Sequence, residues 1–292
     1  SNTMEIINLK KDYLLKKKLP NSVKKAIIKK FEESGILKFP NFSSSNKSVI
    51  NFIDQFTYQY ANDASRRETR FENKKIRNVD SGKQEIFLHS ETSFSPSQPE
   101  IVWFYCVNPG KRNSGQTVYC DGLELWQKLP AHYKFFFLEN PIRFKLKIPI
   151  TKKLKGRHKK KWFLEYPGVS NCYLNYASNC LEFEFSKFAV EKARITNKFS
   201  FANHLIIPLI SEPQILSRKV GKDKLLSLRE HNQIKKIAYS LTHDICWKKN
   251  DLVMIDNYRF MHGRRKIDIN DNIRDIVTMQ TLKANFGYGN NF

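Results

Sequence analysis

Leu88-His89-Ser90-Glu91 closes an apolar run and precedes a Ser/Pro-rich turn. At i and i+2 of an extended segment, the imidazole of His89 and the carboxylate of Glu91 point to one face and stand side by side. A second histidine, His262, follows the apolar run Leu252-Val253-Met254-Ile255, inside the stretch Asp256-Asn257-Tyr258-Arg259-Phe260-Met261-His262-Gly263-Arg264. A chain leaving a sheet there can return His262 to the first pair. Two imidazoles and one carboxylate on one face of a metal leave the opposite face open, the geometry of a non-heme iron(II) oxygenase site. An isolated His-x-Glu is also an ordinary polar strand end, so the reading depends on what accompanies it.

Three features accompany it. Thr117, at the end of Gly115-Gln116-Thr117, lies 28 residues after His89 and offers a hydroxyl at the start of a strand. Arg274 lies 12 residues after His262 at the head of another strand, where a planar guanidinium can hold a carboxylate through two parallel hydrogen bonds. Trp247 to Asp251 supplies the turn into the strand before His262. Asp256 and Asn257 are expected to organise the turn ahead of His262. Arg264 can pair with a bound acid or with a structural partner, and Ser93 and Phe94 can line a pocket or sit in the core.

The elements that must position these groups are mostly short strands. Val23, Ile27 and Phe31 recur at helical spacing after Asn21 or Ser22 as cap, and Gly35 ends that helix. A strand at Ile36–Phe39 and a helix over about 47–60 follow, then a long polar loop from Asn62 to Lys83. Strands are expected at 86–88, 101–107, 117–120, 144–150, 162–166, 172–175, 252–255 and 276–282, with helices near 123–129, 186–195 and 222–243. This order favours a β-sandwich or jelly roll over a doubly wound sheet. No Gly-x-Gly-x-x-Gly or Walker-type phosphate loop is present.

The 292 residues are 40% hydrophobic and 13% aromatic, enough for a sizeable core and incompatible with global disorder. No apolar stretch is long enough to span a membrane. Ser1-Asn2-Thr3 ahead of Met4 reads as a cloning remnant, not a secretory leader, so the expected compartment is the cytoplasm. Five cysteines without Cys-x-x-Cys spacing imply neither a zinc ribbon nor a disulfide framework, although Cys172 and Cys180 could pair across two strands. The net charge of +23 attracts polyanions. Its densest segment, Lys152 to Lys161, could dock an acidic carrier protein or touch nucleic-acid phosphates, or simply form a solvated loop.

Taken together, the motifs resemble the taurine dioxygenase family of iron(II)/2-oxoglutarate-dependent oxygenases, and within it the clavaminate synthase-like members, whose metal carboxylate is Glu. The resemblance runs over about 85–129 and 247–282, with the motifs in the family's order and spacing. It implies His89, Glu91 and His262 as iron ligands and Thr117 with Arg274 as the pair that binds the distal carboxylate of 2-oxoglutarate. Arg264 is then a candidate for the proximal carboxylate. The fold implied is mainly β with flanking helices, a double-stranded β-helix (jelly roll) in one domain over 1–292, with an N-terminal extension about 5–60 and a variable insert about 140–220.

The activity implied is O2-dependent hydroxylation of a small molecule, an amino acid or a natural-product intermediate, with conversion of 2-oxoglutarate to succinate and CO2. Desaturation, or a substrate tethered to a carrier protein, are nearby alternatives. A basic nucleic-acid-binding protein with a vestigial metal site is the alternative from another class. Thr278 stands where the taurine enzyme has a second Arg, which argues against a sulfonate substrate, and Ser114-Gly115 replaces the usual Gly-Gly. Because Glu91 keeps its carboxylate, the metal has no vacant halide position, and halogenation is disfavoured.

Overall fold

The computed structural model describes residues 4–11, 13, 18–42, 45–61, 77–78, 82–150, 166–221 and 226–287. In chain order the strands are β1 (Glu5–Ile6), β2 (Ile36–Phe39), β3 (Thr57–Tyr60), β4 (Arg77–Asn78), β5 (Ile86–His89), β6 (Ile101–Asn108), β7 (Thr117–Asp121), β8 (Ile142–Pro149) and β9 (Val169–Asn175). They continue with β10 (Cys180–Lys187), β11 (Glu191–Lys192), β12 (Phe199–Ser200), β13 (Ile215–Val220), β14 (His243–Asp244), β15 (Leu252–Asp256), β16 (Phe260–Arg264) and β17 (Asp275–Ala284). The helices are α1 (Asn21–Ser34), α2 (Asn46–Asp54), α3 (Gly122–Lys128), α4 (Ala131–Glu139) and α5 (Leu228–Ser240).

Two sheets form the jelly-roll core. The larger has the order β1-β2-β15-β6-β17-β3 with β4 also on β17, and the smaller the order β14-β7-β16-β5. Strand period two divides each sheet into an inner and an outer face. Cys106, Phe104 and Val102 of β6 lie opposite Ile276, Thr278 and Gln280 of β17. The apolar members of that set join Ile36, Tyr119, Val253, Ile255 and Phe260 in the buried layer between the sheets. The alternate residues Ile101, Trp103, Tyr105, Val277 and Met279 face outward and are covered by Ile27, Phe31, Phe52 and Ile53 of α1 and α2. Burying each such large side chain contributes about 1.5–3 kcal/mol.

The outer face of the smaller sheet, with Leu88, Val118, Cys120 and Met261, packs under α3 to α5 and a third sheet of order β13-β8-β10-β9. A buried ion pair ties the layers: Arg259 donates from Nε to Asp121 Oδ1 at 3.1 Å and from Nη2 to Oδ2 at 2.8 Å, while Nη1 reaches Glu33 O at the end of α1. Gly35 is required there. Its φ is +71°, and a Cβ would fall 2.8 Å from Arg259 Cδ and 2.6 Å from the Phe260 ring.

Several local expectations change. α1 starts after Pro20 with no side-chain cap, so neither Asn21 nor Ser22 caps it. The helix expected over 47–60 stops at Asp54, because Thr57–Tyr60 pairs with β17. No helix spans 186–195: β10 runs to Lys187, Ala189, Val190 and Ala193 plug the core from irregular backbone, and Glu191–Lys192 pairs with Phe199–Ser200. The helix expected over 222–243 is α5 alone, started at Leu228 by a capping box between Ser227 and Glu230.

The helix α4 was not expected. Its apolar residues circle the axis, with Tyr133 and Phe137 buried but Phe135 and Leu138 exposed, so no helical stripe marks it. Cys172 and Cys180 remain thiols. Most of the loop 62–83, the basic segment 152–161 and the strand expected at 162–166 lie outside the described residues, apart from the 77–78 pairing with β17, residues 82–83 and Tyr166. Among the described residues no helix is long and apolar enough to cross a membrane.

Candidate active site

Strand register places the first two imidazoles. In β5 and β16, His89 lies directly opposite His262, and β7 flanks them with Thr117 opposite Arg264. The two rings are 4.7 Å apart. Strand β5 ends at His89, so Glu91 sits in the turn beyond it instead of in an extended segment, yet its carboxylate still reaches both imidazoles. Glu91 Oε2 lies 3.2 Å from His89 Nε2 and 3.3 Å from His262 Nε2. The three donor atoms fall within 4.8 Å of one another, and all three side chains are buried.

The chemistry of this donor set fits a divalent ion. His89 Nδ1 faces the carbonyl of Phe87 at 2.8 Å, and a carbonyl only accepts, so Nδ1 carries the proton and Nε2 of the neutral ring presents a lone pair. That lone pair faces a carboxylate oxygen, an unfavourable pairing unless a cation lies between them. Burial opposes charge on His89, but the hydrogen bond and charge of Glu91, with Glu212 behind, outweigh it and raise the imidazole above its ordinary value. The two Nε2 atoms and the carboxylate oxygen are close enough to one another for a single divalent ion to be held by all three.

The turn carrying Glu91 is held from several sides. Asn257 Oδ1 accepts from Glu91 N at 2.8 Å, and its Nδ2 donates to Glu91 O and Pro99 O, each at 2.9 Å. Asn257 thus fixes the Glu91 turn, while Asp256 organises the turn ahead of His262 by accepting from the Tyr258 and Arg259 N–H groups. Ser90 N–H donates to Asn203 O, and its hydroxyl donates to Phe260 O. His204, buried beside His89 with rings 5.5 Å apart, places Nδ1 at 3.3 Å from Ser90 O and Nε2 at 3.1 Å from Glu212 Oε1. At the edge strand β5, Tyr239 of α5 accepts the Leu88 N–H at 3.1 Å. Ser93 and Phe94 take the structural alternative: the Ser93 hydroxyl donates to Ser90 O, and Phe94 packs on His204.

A pocket opens onto the three donors, lined also by Ile86, Phe104, Thr117, Arg264, Arg274 and Thr278. Thr117 Oγ1 accepts from Trp247 Nε1 at 2.8 Å and faces Arg274 Nη2 at 3.4 Å, which leaves its own proton available to a bound acceptor. Arg274 Nε is buried without a hydrogen-bond partner among the described residues. Burial, and then the nearby Arg264 charge, lower the Arg274 guanidinium to about 10. An anion would relieve both.

Asp271 anchors the Arg274 backbone at 3.1 Å and, through Oδ2, the Lys111 N–H and Ser114 hydroxyl, each at 2.9 Å. Gly115, at φ +62°, leaves room for Arg274, since a Cβ there would lie 2.9 Å from Arg274 Nε. Arg264 Nη2 donates to the carbonyls of Gly82 and Gln84, both at 2.7 Å, so its structural pairing is present while its side chain still lines the pocket. Thr278 turns its hydroxyl to Trp103 O at 3.1 Å.

Asn257, His204 and Trp247 hold these groups in place, yet the sequence gave Asn257 and Trp247 only to turns and left His204 unmarked. None belongs to a spaced motif, and only the folded contacts reveal their roles.

The fold recurs among solved structures. AAD-2 in complex with Mn(II) and N-oxalylglycine superposes with a TM-score of 0.62 at 15% identity, covering 97% of this chain and 94% of that one. A taurine dioxygenase from Burkholderia xenovorans gives 0.62 at 13% identity over 95% and 86% of the chains. The PvcB protein from Pseudomonas aeruginosa gives 0.59 at 12% identity over 94% and 84%. No curated protein matches in sequence. The sequence pattern of the taurine catabolism dioxygenase TauD, TfdA family matches residues 10–280. That match spans the smaller sheet, all of the larger but β1 and the end of β17, and every group lining the pocket, and the chain therefore belongs to this family of dioxygenases, which use Fe(II), 2-oxoglutarate and O2.

Proposed function

We propose that His89, Glu91 and His262 hold Fe(II), that Thr117 and Arg274 grip the distal carboxylate of 2-oxoglutarate, and that the enzyme hydroxylates a small molecule lacking a sulfonate. The convergence of two histidine Nε2 atoms on one oxygen of a buried carboxylate carries the reading. The Mn(II) and the dicarboxylate in the AAD-2 complex support it.

When bound, iron with 2-oxoglutarate supplies the activation of O2 that is coupled to decarboxylation to succinate and to oxidation of a substrate C–H bond. The chain's own residues position these partners. Arg274 offers a charged donor, and Thr117 offers the hydroxyl proton that Trp247 leaves available. Phe104 walls the pocket beside His262, 5.4 Å between rings, and helps exclude water. Arg264 adds a second positive charge in the same pocket, matched to a dianion. Thr278 presents no cation, and its hydroxyl is turned to Trp103, which argues against an anionic substrate group such as a sulfonate there.

Anaerobic titration with Fe(II) and 2-oxoglutarate tests this through the visible charge-transfer band of the chelate. The parent is expected to form the band, His262→Ala to lose it, and Arg274→Ala to need more 2-oxoglutarate. A folded parent without a band overturns the iron reading and directs attention to polyanion partners.

A further inference from the structure

We infer that Gln280 holds Glu91 as a one-oxygen ligand and so keeps adjacent metal positions open for 2-oxoglutarate and O2; the inference rests on the iron reading above. Gln280 lies on β17 opposite Val102, on the inner face shared with Phe104 and Ile276. It is 7% exposed, a carboxamide set in a largely apolar wall. Such a group is destabilising there by about 1–3 kcal/mol unless it is hydrogen-bonded.

Its Nε2 donates to Glu91 Oε1 at 3.2 Å. The other oxygen, Oε2, is the one that faces both imidazoles. The carboxylate is therefore divided, one oxygen to the amide and one to the metal position.

This division matters more for Glu than for Asp. Glutamate carries one additional side-chain torsion, and with its backbone fixed by Asn257 its three torsions, the last of them rotation of the carboxylate, decide which oxygen reaches the metal position. A carboxylate that swung both oxygens onto the metal would occupy one more position. Three protein donors on a six-coordinate ion leave three places, two for the 2-oxo acid and one for O2. A chelating Glu91 would leave too few. Gln280 acts through Glu91 and is thus a positioning residue.

The test uses Gln280→Met, which keeps shape without the donor, and Gln280→Leu as a second variant, both checked for folding by circular dichroism and thermal unfolding. Mn(II) alone is titrated first, followed by its electron paramagnetic resonance signal; 2-oxoglutarate is then titrated anaerobically into the Fe(II)-loaded protein. Loss of a partner that orients a metal ligand weakens metal binding about 10- to 100-fold. The expected result is a rise of about 10- to 100-fold in the 2-oxoglutarate needed for half the band, with a moved band and an altered Mn(II) affinity and signal, because a Glu91 free to bring both oxygens to the metal competes with the 2-oxo acid for its positions. Met279→Leu, on the outer face of the same strand, is expected to change neither affinity.

Folded variants whose Mn(II) and 2-oxoglutarate affinities stay within about twofold of the parent overturn the role of Gln280 while leaving the iron reading intact. A parent that binds no Mn(II) overturns both.

Discussion

Arg274 is the residue whose removal separates co-substrate from metal. Its guanidinium lines the pocket on the side of Thr117, and its Nε has no hydrogen-bond partner among the described residues. A hydrogen bond to a charged group contributes about 1.5–3 kcal/mol. Arg274→Ala is therefore expected to raise the 2-oxoglutarate concentration for half-saturation about 10- to 100-fold while Mn(II) affinity stays unchanged, as measured by parallel titrations. That His89, Glu91, His262, Thr117 and Arg274 share one pocket was legible in the sequence, through residue type, order and spacing together with the resemblance to the family. Gln280 was not, because an amide six residues past Arg274 acquires a role only when β17 lies beside the Glu91 turn.

Elements decide how firmly that turn is held. The segment between β15 and β16 contributes Asn257, whose side chain bonds Glu91 N, Glu91 O and Pro99 O. Asn257→Ala leaves those buried groups unsatisfied and is expected to destabilise the fold by about 3 kcal/mol and to weaken Mn(II) binding about tenfold, read by denaturant unfolding and metal titration. The neighbouring Asp256 titrates in the folded state. Burial raises its carboxyl to about 7, against hydrogen bonds from the Tyr258 and Arg259 N–H groups, and Oδ2 has no partner among the described residues.

With the unfolded value at about 3.9, the native state binds the extra proton between the two values. The stability contributed by the neutral acid is complete below about 4 and is lost as pH rises through about 7. Asp256→Asn should flatten the fall of Tm over that window and gain on the parent above it. An unchanged pH profile in the variant would remove Asp256 as the cause.

For the molecule as a whole, the charge of +23 stands apart from the chemistry. Surface cations act through a field that salt screens within about 10 Å at 0.1 M. Retention on a polyanion such as an oligonucleotide is expected to fall steeply with salt and to be the same for the parent and His262→Ala, measured by binding at increasing ionic strength. A dependence on the metal ligand would tie the charge to the site. The Arg259–Asp121 pair belongs to this scale as well, since it joins α1, β7 and the β15–β16 turn through one buried contact.

By itself the sequence determined the family of chemistry and the class of fold. Metal-ligand types, a hydroxyl and a guanidinium at set offsets, and strands of period two are local properties that survive without a neighbour. Local reading failed where packing overrides propensity: α4 has apolar residues all around, 186–195 has helix-like spacing but fills a core gap from irregular backbone, and 57–60 is extended because β17 offers it an edge. Only the tertiary structure decided that His262 faces His89, that Asn257 and His204 brace the turn between them, and that one oxygen of Glu91 is claimed by Gln280. Each of those contacts joins residues more than 100 positions apart, and closing such loops is governed by the burial of whole faces, which no local pattern encodes.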